Sequence, residues 1–114
     1  MSTHAVLGVR YPDGKIEGCY VHYDGSTMET RINNYLNTHT TTCLSLMIAR
    51  AQAAGGIHSF HSPGLDEGAP GTDFFDNGEP YAINEDTWYD DHFGAHYRYM
   101  IDYETGEVNV NSRH

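Results

Sequence analysis

Tyr20, His22, Tyr23 and Asp24 crowd into the stretch GCYVHYDGSTMETR, residues 18–31, and between them could bind a flat ring, move a proton or hold a metal. Side chains two apart on a strand share a face, so His22 and Asp24 can meet as a base and its orienting carboxylate. A small metal-dependent hydrolase would use such a pair. The chain carries no nucleophile elbow, H-E-x-x-H or Walker loop to complete it. A lone His–Asp pair is also common as plain hydrogen bonding, so the reading taken is that no residue here is catalytic.

Eight histidines raise the question of a metal. His58 and His61, and His92 and His96, have spacings that converge on an ion when helical. On a strand, His58 and His61 point to opposite faces, which weakens that pair. The acids between Asp73 and Asp91 lack the spacing of a calcium loop. No metal site and no cofactor are expected.

Ligand binding suits these residue types better. Tyrosine rings beside arginines can stack on a base while the guanidinium grips phosphate in a fork. The candidate ligand-binding residues are Arg10, Tyr20, His22, Tyr23 and Arg31. Arg10 and His22 are expected on facing strands of one hairpin, with Arg31 approaching from the first helix.

The elements that would hold them follow from local grammar. Pro12-Asp13-Gly14 is strong turn chemistry between two strands, 5–11 and 16–23. Cys19, Val21 and Tyr23 then share the face assigned to the core, with Tyr20 and His22 on the more open one. Asp24-Gly25 breaks the strand, and Ser26 with Glu29 forms a capping box for a helix. Met28, Ile32, Tyr35 and Leu36 form its apolar stripe. A second helix over Thr40–Ala54 stops at Gly55-Gly56. Ile57–Phe60 reads as a short strand, and residues 62–80 as a long acidic loop rich in Gly and Pro. A turn or short helix around Asp86–Asp91 precedes a closing hairpin of His96–Tyr103 and Val108–Asn111.

The expected fold is therefore α+β in a single domain, residues 1–114: a small antiparallel sheet with two helices on one face and the other face available. Composition adds further bounds. Nine tyrosines suit half-buried faces and binding surfaces. The formal net charge is −10, and it is unevenly spread. Residues 1–50 carry four acids and four bases, whereas residues 51–97 have no Lys or Arg and nine acids. Such a field disfavours duplex DNA, RNA and anionic membrane as partners of the acidic region and suits a basic protein surface, while the locally neutral N-terminal half can still take a small anionic ligand. Cys19 and Cys43 have no C-x-x-C spacing, and no signal-peptide pattern or apolar run of membrane length is present. A cytoplasmic protein with reduced thiols is expected.

The stretch GVRYPDGKIEGCYVHYDGSTMETRINNYL resembles a widespread group of short phage proteins, mostly without assigned roles. Their opening hairpin has the form G-x-R-x-x-D-G-x-I/V-x-x-x-Y-x-H-W/Y-D-G. The matching positions are Gly8, Arg10, Asp13, Gly14, Ile16, Tyr20, His22, Tyr23, Asp24 and Gly25. The Tyr-rich AHYRYMIDYETGEVNV is similar to the group's closing hairpin. The chain departs from the group at Ser26-Thr27, where an aromatic and a proline often stand, and residues 62–92 fall outside the likeness. The resemblance implies a cytoplasmic protein of the infected bacterial host, acting in counter-defence. Small phage proteins in that role include oligomeric sponges that sequester a cyclic nucleotide immune signal. The alternative is an acidic inhibitor that covers a basic host defence protein by nucleic-acid mimicry.

Overall fold

Two strands and a tight turn start the fold. In the computed structural model, which describes residues 4–23, 28–60, 72–75 and 79–112, β1 (Ala5–Arg10) and β2 (Ile16–Val21) pair antiparallel. The Pro12–Gly14 turn is closed by a hydrogen bond of 2.9 Å from the Gly14 N–H to the Tyr11 carbonyl. The strand β2 ends at Val21, earlier than the expected 23, although the Tyr23 N–H still donates to the His58 carbonyl.

The helix α1 (Met28–Thr38) buries Met28, Ile32 and Tyr35, the expected stripe. The capping box at Ser26 lies outside the described residues. α2 (Thr41–Ala54) begins at Thr40, whose side chain accepts from the Cys43 N–H. It ends at Gly55, where φ of 98° sends the chain out of the helix in the left-handed conformation that glycine tolerates. Both helices cover one face of the sheet, burying Leu44, Ile48 and Ala51 against Leu7, Cys19, Val21, Tyr99 and Ile101.

The fold is α+β, with a sheet larger than expected and mixed rather than antiparallel. Its six strands run β4-β3-β2-β1-β5-β6, where β3 is Ile57–Phe60, β4 Thr72–Phe74, β5 Tyr97–Asp102 and β6 Val108–Ser112. β1 pairs parallel to β5, and β2 meets β3 in parallel at Val21 and Ile57. Parallel neighbours need a crossover, and the two helices between β2 and β3 supply one of them. β4 lies inside the stretch read as a loop; three residues are too few to show a period.

The second face of the sheet is not open. Residues 81–95 fold across it and bury Ile83, Trp88 and Ala95 against Val6. Gly8 and Gly18 stand opposite each other on β1 and β2, and the Trp88 indole rests on this floor without side chains. A Cβ at Gly8 would lie 2.5 Å from the Trp88 ring. Ile83 exchanges two backbone hydrogen bonds with Gly18, and Arg98 secures the rest. From β5, the Arg98 guanidinium donates to the carbonyls of Trp88, Tyr89 and Asp90 at 3.0, 3.1 and 2.9 Å. Charge-assisted bonds to backbone oxygen let this buried arginine hold the turn of residues 84–90 to the sheet.

Candidate ligand-binding site

The site forms where the covering segment stops short of the end of β2. Tyr20 projects from β2 on that face, His22 follows just beyond the strand's end, and His4 joins them from the residue before β1. The result is a cleft of about 480 Å³ lined by His4, Tyr20, His22, Phe75, Tyr81 and Phe93, with Glu79 at its edge. Its walls are mostly rings. Tyr20 and Phe93 lie 4.8 Å apart, Tyr81 and Phe93 5.5 Å, and His22 and Phe75 6.0 Å between centroids.

Three imidazoles line up along one side. His4 stacks on His22 at 4.7 Å, and His22 is followed by His58 at 5.8 Å. The His4 Nδ1 donates to the Phe93 carbonyl at 2.7 Å, so the N-terminal strand holds the Phe93 turn in place. The Tyr20 hydroxyl lies 2.9 Å from His22 Nδ1. Burial, with a smaller contribution from Tyr81, pushes the Tyr20 phenol up to about 12, so it stays protonated. With neutral His22, Tyr20 then donates to Nδ1 and the ring proton sits on Nε2. Burial and the neighbouring His4 and His58 rings hold the His22 pKa below its ordinary value. The neutral form of His22 is thereby favoured in the free protein, and an anion beside it would favour the protonated one.

Phe93 has a φ of 55°, in the left-handed region, and the residue is 65% exposed. It heads the turn His92–Ala95, which closes with a hydrogen bond of 3.1 Å from Ala95 to His92. His92 is buried and anchors this turn. Its Nε2 donates to the Thr87 carbonyl at 2.7 Å, and its Nδ1 bonds the Tyr81 hydroxyl. A strained residue that presents an aromatic ring to a cleft is a motive for a functional reading.

The structure brings together three of the five residues singled out from sequence. Tyr20 and His22 line the cleft, with Tyr20 buried beneath rather than lying on an open face. Tyr23 stands at its shoulder, edge-on to His22 at 4.6 Å and His58 at 5.0 Å. Because β2 has ended, strand alternation no longer turns Tyr23 towards the helices. Arg10 shares the sheet face but pairs with Ile16 beside the turn, while Val6 faces Tyr20. Four strand positions, about 13 Å, separate Arg10 from the cleft. It lies instead with Met100, Asp102 and Asn109, and helps keep the Asp102 carboxyl below its usual range after the Thr105 and Glu104 backbone bonds. Arg31 belongs to α1, on the opposite face of the sheet.

His4, Phe75, Tyr81 and Phe93 were not read from sequence as site residues. They come from three separate segments, and only the turn signal at Gly94 was local. Of the two metal pairs, only that of His92 and His96 falls within the described residues, and it does not form. His92 is bonded to Tyr81 and Thr87, His96 is exposed, and His61 lies outside the described residues. Among the described residues, no group of three or more His, Cys, Asp or Glu could hold a metal ion. Asp24, the expected partner of His22, also lies outside the described residues, and His22 bonds Tyr20. No helix among the described residues is long and apolar enough to cross a membrane. Comparison of the chain with protein-family models, curated proteins and solved structures finds no match in any of the three.

Proposed function

We propose that the protein binds a nucleotide signal without turning it over, and that in the phage setting implied by its sequence resemblance it serves counter-defence by sequestering that signal. The observation that carries this reading is the ring-lined cleft. Its volume of about 480 Å³ is within the range of small-molecule sites. Tyr20, Tyr81, Phe93 and Phe75 offer faces and edges to a flat base, an interaction tolerant of base identity. The Nε2–H of His22 offers a donor to phosphate, taking the role first expected of Arg10 and Arg31. A phosphate beside His22 would favour its protonated form, against the burial and the neighbouring His4 and His58 rings that hold its pKa down.

The test is a retention experiment. The protein is incubated with a panel of cyclic nucleotides, freed of unbound ligand and heat-denatured, and the released material is identified. Intact nucleotide, lost in His22→Ala and Phe93→Ala, supports sequestration. A cleaved product would make the protein an enzyme, and no retention across the panel would sink the nucleotide reading.

A second reading rests on the outer surface of the covering segment. Glu79, Glu85, Asp86, Asp90 and Asp91 are exposed there, together with Tyr89, 71% exposed. Acids interleaved with exposed rings suit a basic protein surface, as an inhibitor that mimics nucleic acid would require. Binding of that kind weakens with salt, and charge-neutralised variants at Glu85, Asp86 and Asp90 would lose it.

A further inference from the structure

The sheet ends at β6, and nothing among the described residues pairs with its outer edge. The direction of its backbone groups follows from the adjoining turn. Asp102 donates to the Glu107 carbonyl and accepts from Gly106, a bulged hydrogen-bonded pair. Alternation from that pair, in the register Met100–Asn109 and Arg98–Asn111, turns the Asn109 and Asn111 backbones towards β5. The N–H and C=O groups of Val108, Val110 and Ser112 therefore point out of the sheet.

Natural edges are usually protected by Lys, Pro, a bulge or an inward charge. The strand VNVNS has none of these, and Val110 is 40% exposed. The opposite edge, β4, has only three residues and places Asp73 in its centre. The β6 edge is also self-complementary. Run antiparallel about a two-fold axis at Val110, it sets Val110 against Val110, Asn109 against Asn111 and Val108 against Ser112 of the other copy. All the outward backbone groups then pair, making about six hydrogen bonds between copies. Val110 meets its counterpart on the helix side, and the asparagine amides meet on the other side.

We infer that β6 is the interface of a homodimer whose two sheets join into one through antiparallel β6 strands. The inference is independent of the cleft, which lies across the sheet at β2. A strand pair buries less than a standard interface, so a dissociation constant on the order of micromolar is expected.

Sedimentation across about 1–500 µM protein tests this, because mass action shifts the equilibrium with concentration. The wild-type mass should climb from 12.8 kDa towards twice that value. Val110→Pro removes an outward N–H and no bond to β5, so it should stay monomeric with an unchanged circular dichroism spectrum. Val110→Lys guards against misfolding of the proline variant; it should also stay monomeric, with a melting temperature matching wild type under dilute conditions. A wild-type protein that is monomeric throughout, or a folded Val110→Pro or Val110→Lys variant that still dimerises, would overturn the proposal.

Discussion

Gly8→Ala is the sharpest probe of how the second face of the sheet is covered. The new Cβ would stand 2.5 Å from Trp88 Cζ3, 2.8 Å from Cη2 and 3.1 Å from the Glu17 carbonyl oxygen. Carbon atoms pack at about 3.5–4.0 Å, so the indole must withdraw by about 1 Å. Overpacking of that order costs about 1–3 kcal/mol, against which relief of the glycine entropy cost returns about 0.5–1 kcal/mol. The withdrawal also strains the three Arg98 bonds to the backbone at residues 88–90. A net loss of about 1–2 kcal/mol follows, or a melting temperature lower by roughly 4–12 °C. Trp88 is the one tryptophan of the chain and is 2% exposed, so its emission reports the contact directly. In Gly8→Ala the emission should shift to the red and quench more readily with iodide. Trp88→Phe removes the colliding ring atoms, so Gly8→Ala should cost less in that background, with a coupling of about 1 kcal/mol by thermal melts. Wild-type stability and emission in Gly8→Ala, or strict additivity in the double variant, would show that the indole does not rest on the glycine floor.

The remaining predictions concern the site and its support. Phe93→Gly relieves a positive φ that costs about 1–2 kcal/mol in a residue with a side chain. It should leave the melting temperature equal or higher while nucleotide retention falls; a large loss of stability would contradict the strain. His22, whose pKa is held below 6.5, is neutral in both folded and unfolded states at higher pH and contributes nothing to pH dependence there. As pH falls through 6.5 the unfolded chain takes the proton first, so stability declines until the folded pKa is reached; His22→Asn should flatten that decline in pH-dependent melts. An anionic ligand raises the same pKa, so retention should strengthen on acidification through this window, and titration calorimetry in two buffers should show proton uptake. Arg98→Lys keeps the charge but loses the fork that spans three carbonyls, and should cost about 1–3 kcal/mol with greater exposure of Trp88 to quenchers.

Much of the local structure was legible in the sequence because its causes are local. Pro12-Asp13-Gly14 makes its turn from its own dihedral preferences, and the Met28, Ile32 and Tyr35 stripe and Gly55 stop act within a few residues. Even the misplacement of Arg10 has a local explanation. A hairpin counts its register outward from the turn, so a residue beside the turn on β1 cannot reach the far end of β2. The tertiary structure alone decided what joins β1 to β5, since a parallel pairing between residues 5–10 and 97–102 leaves no trace in either strand. It also decided that the second face is covered. Gly8, Gly18, Trp88 and Arg98 are unremarkable apart, and their meaning lies in van der Waals contact and hydrogen bonds between segments distant in the chain. The cleft has the same origin: Tyr20 and His22 could be placed on one face by strand alternation, but His4, Tyr81 and Phe93 reach them only because the covering segment is pinned against the sheet.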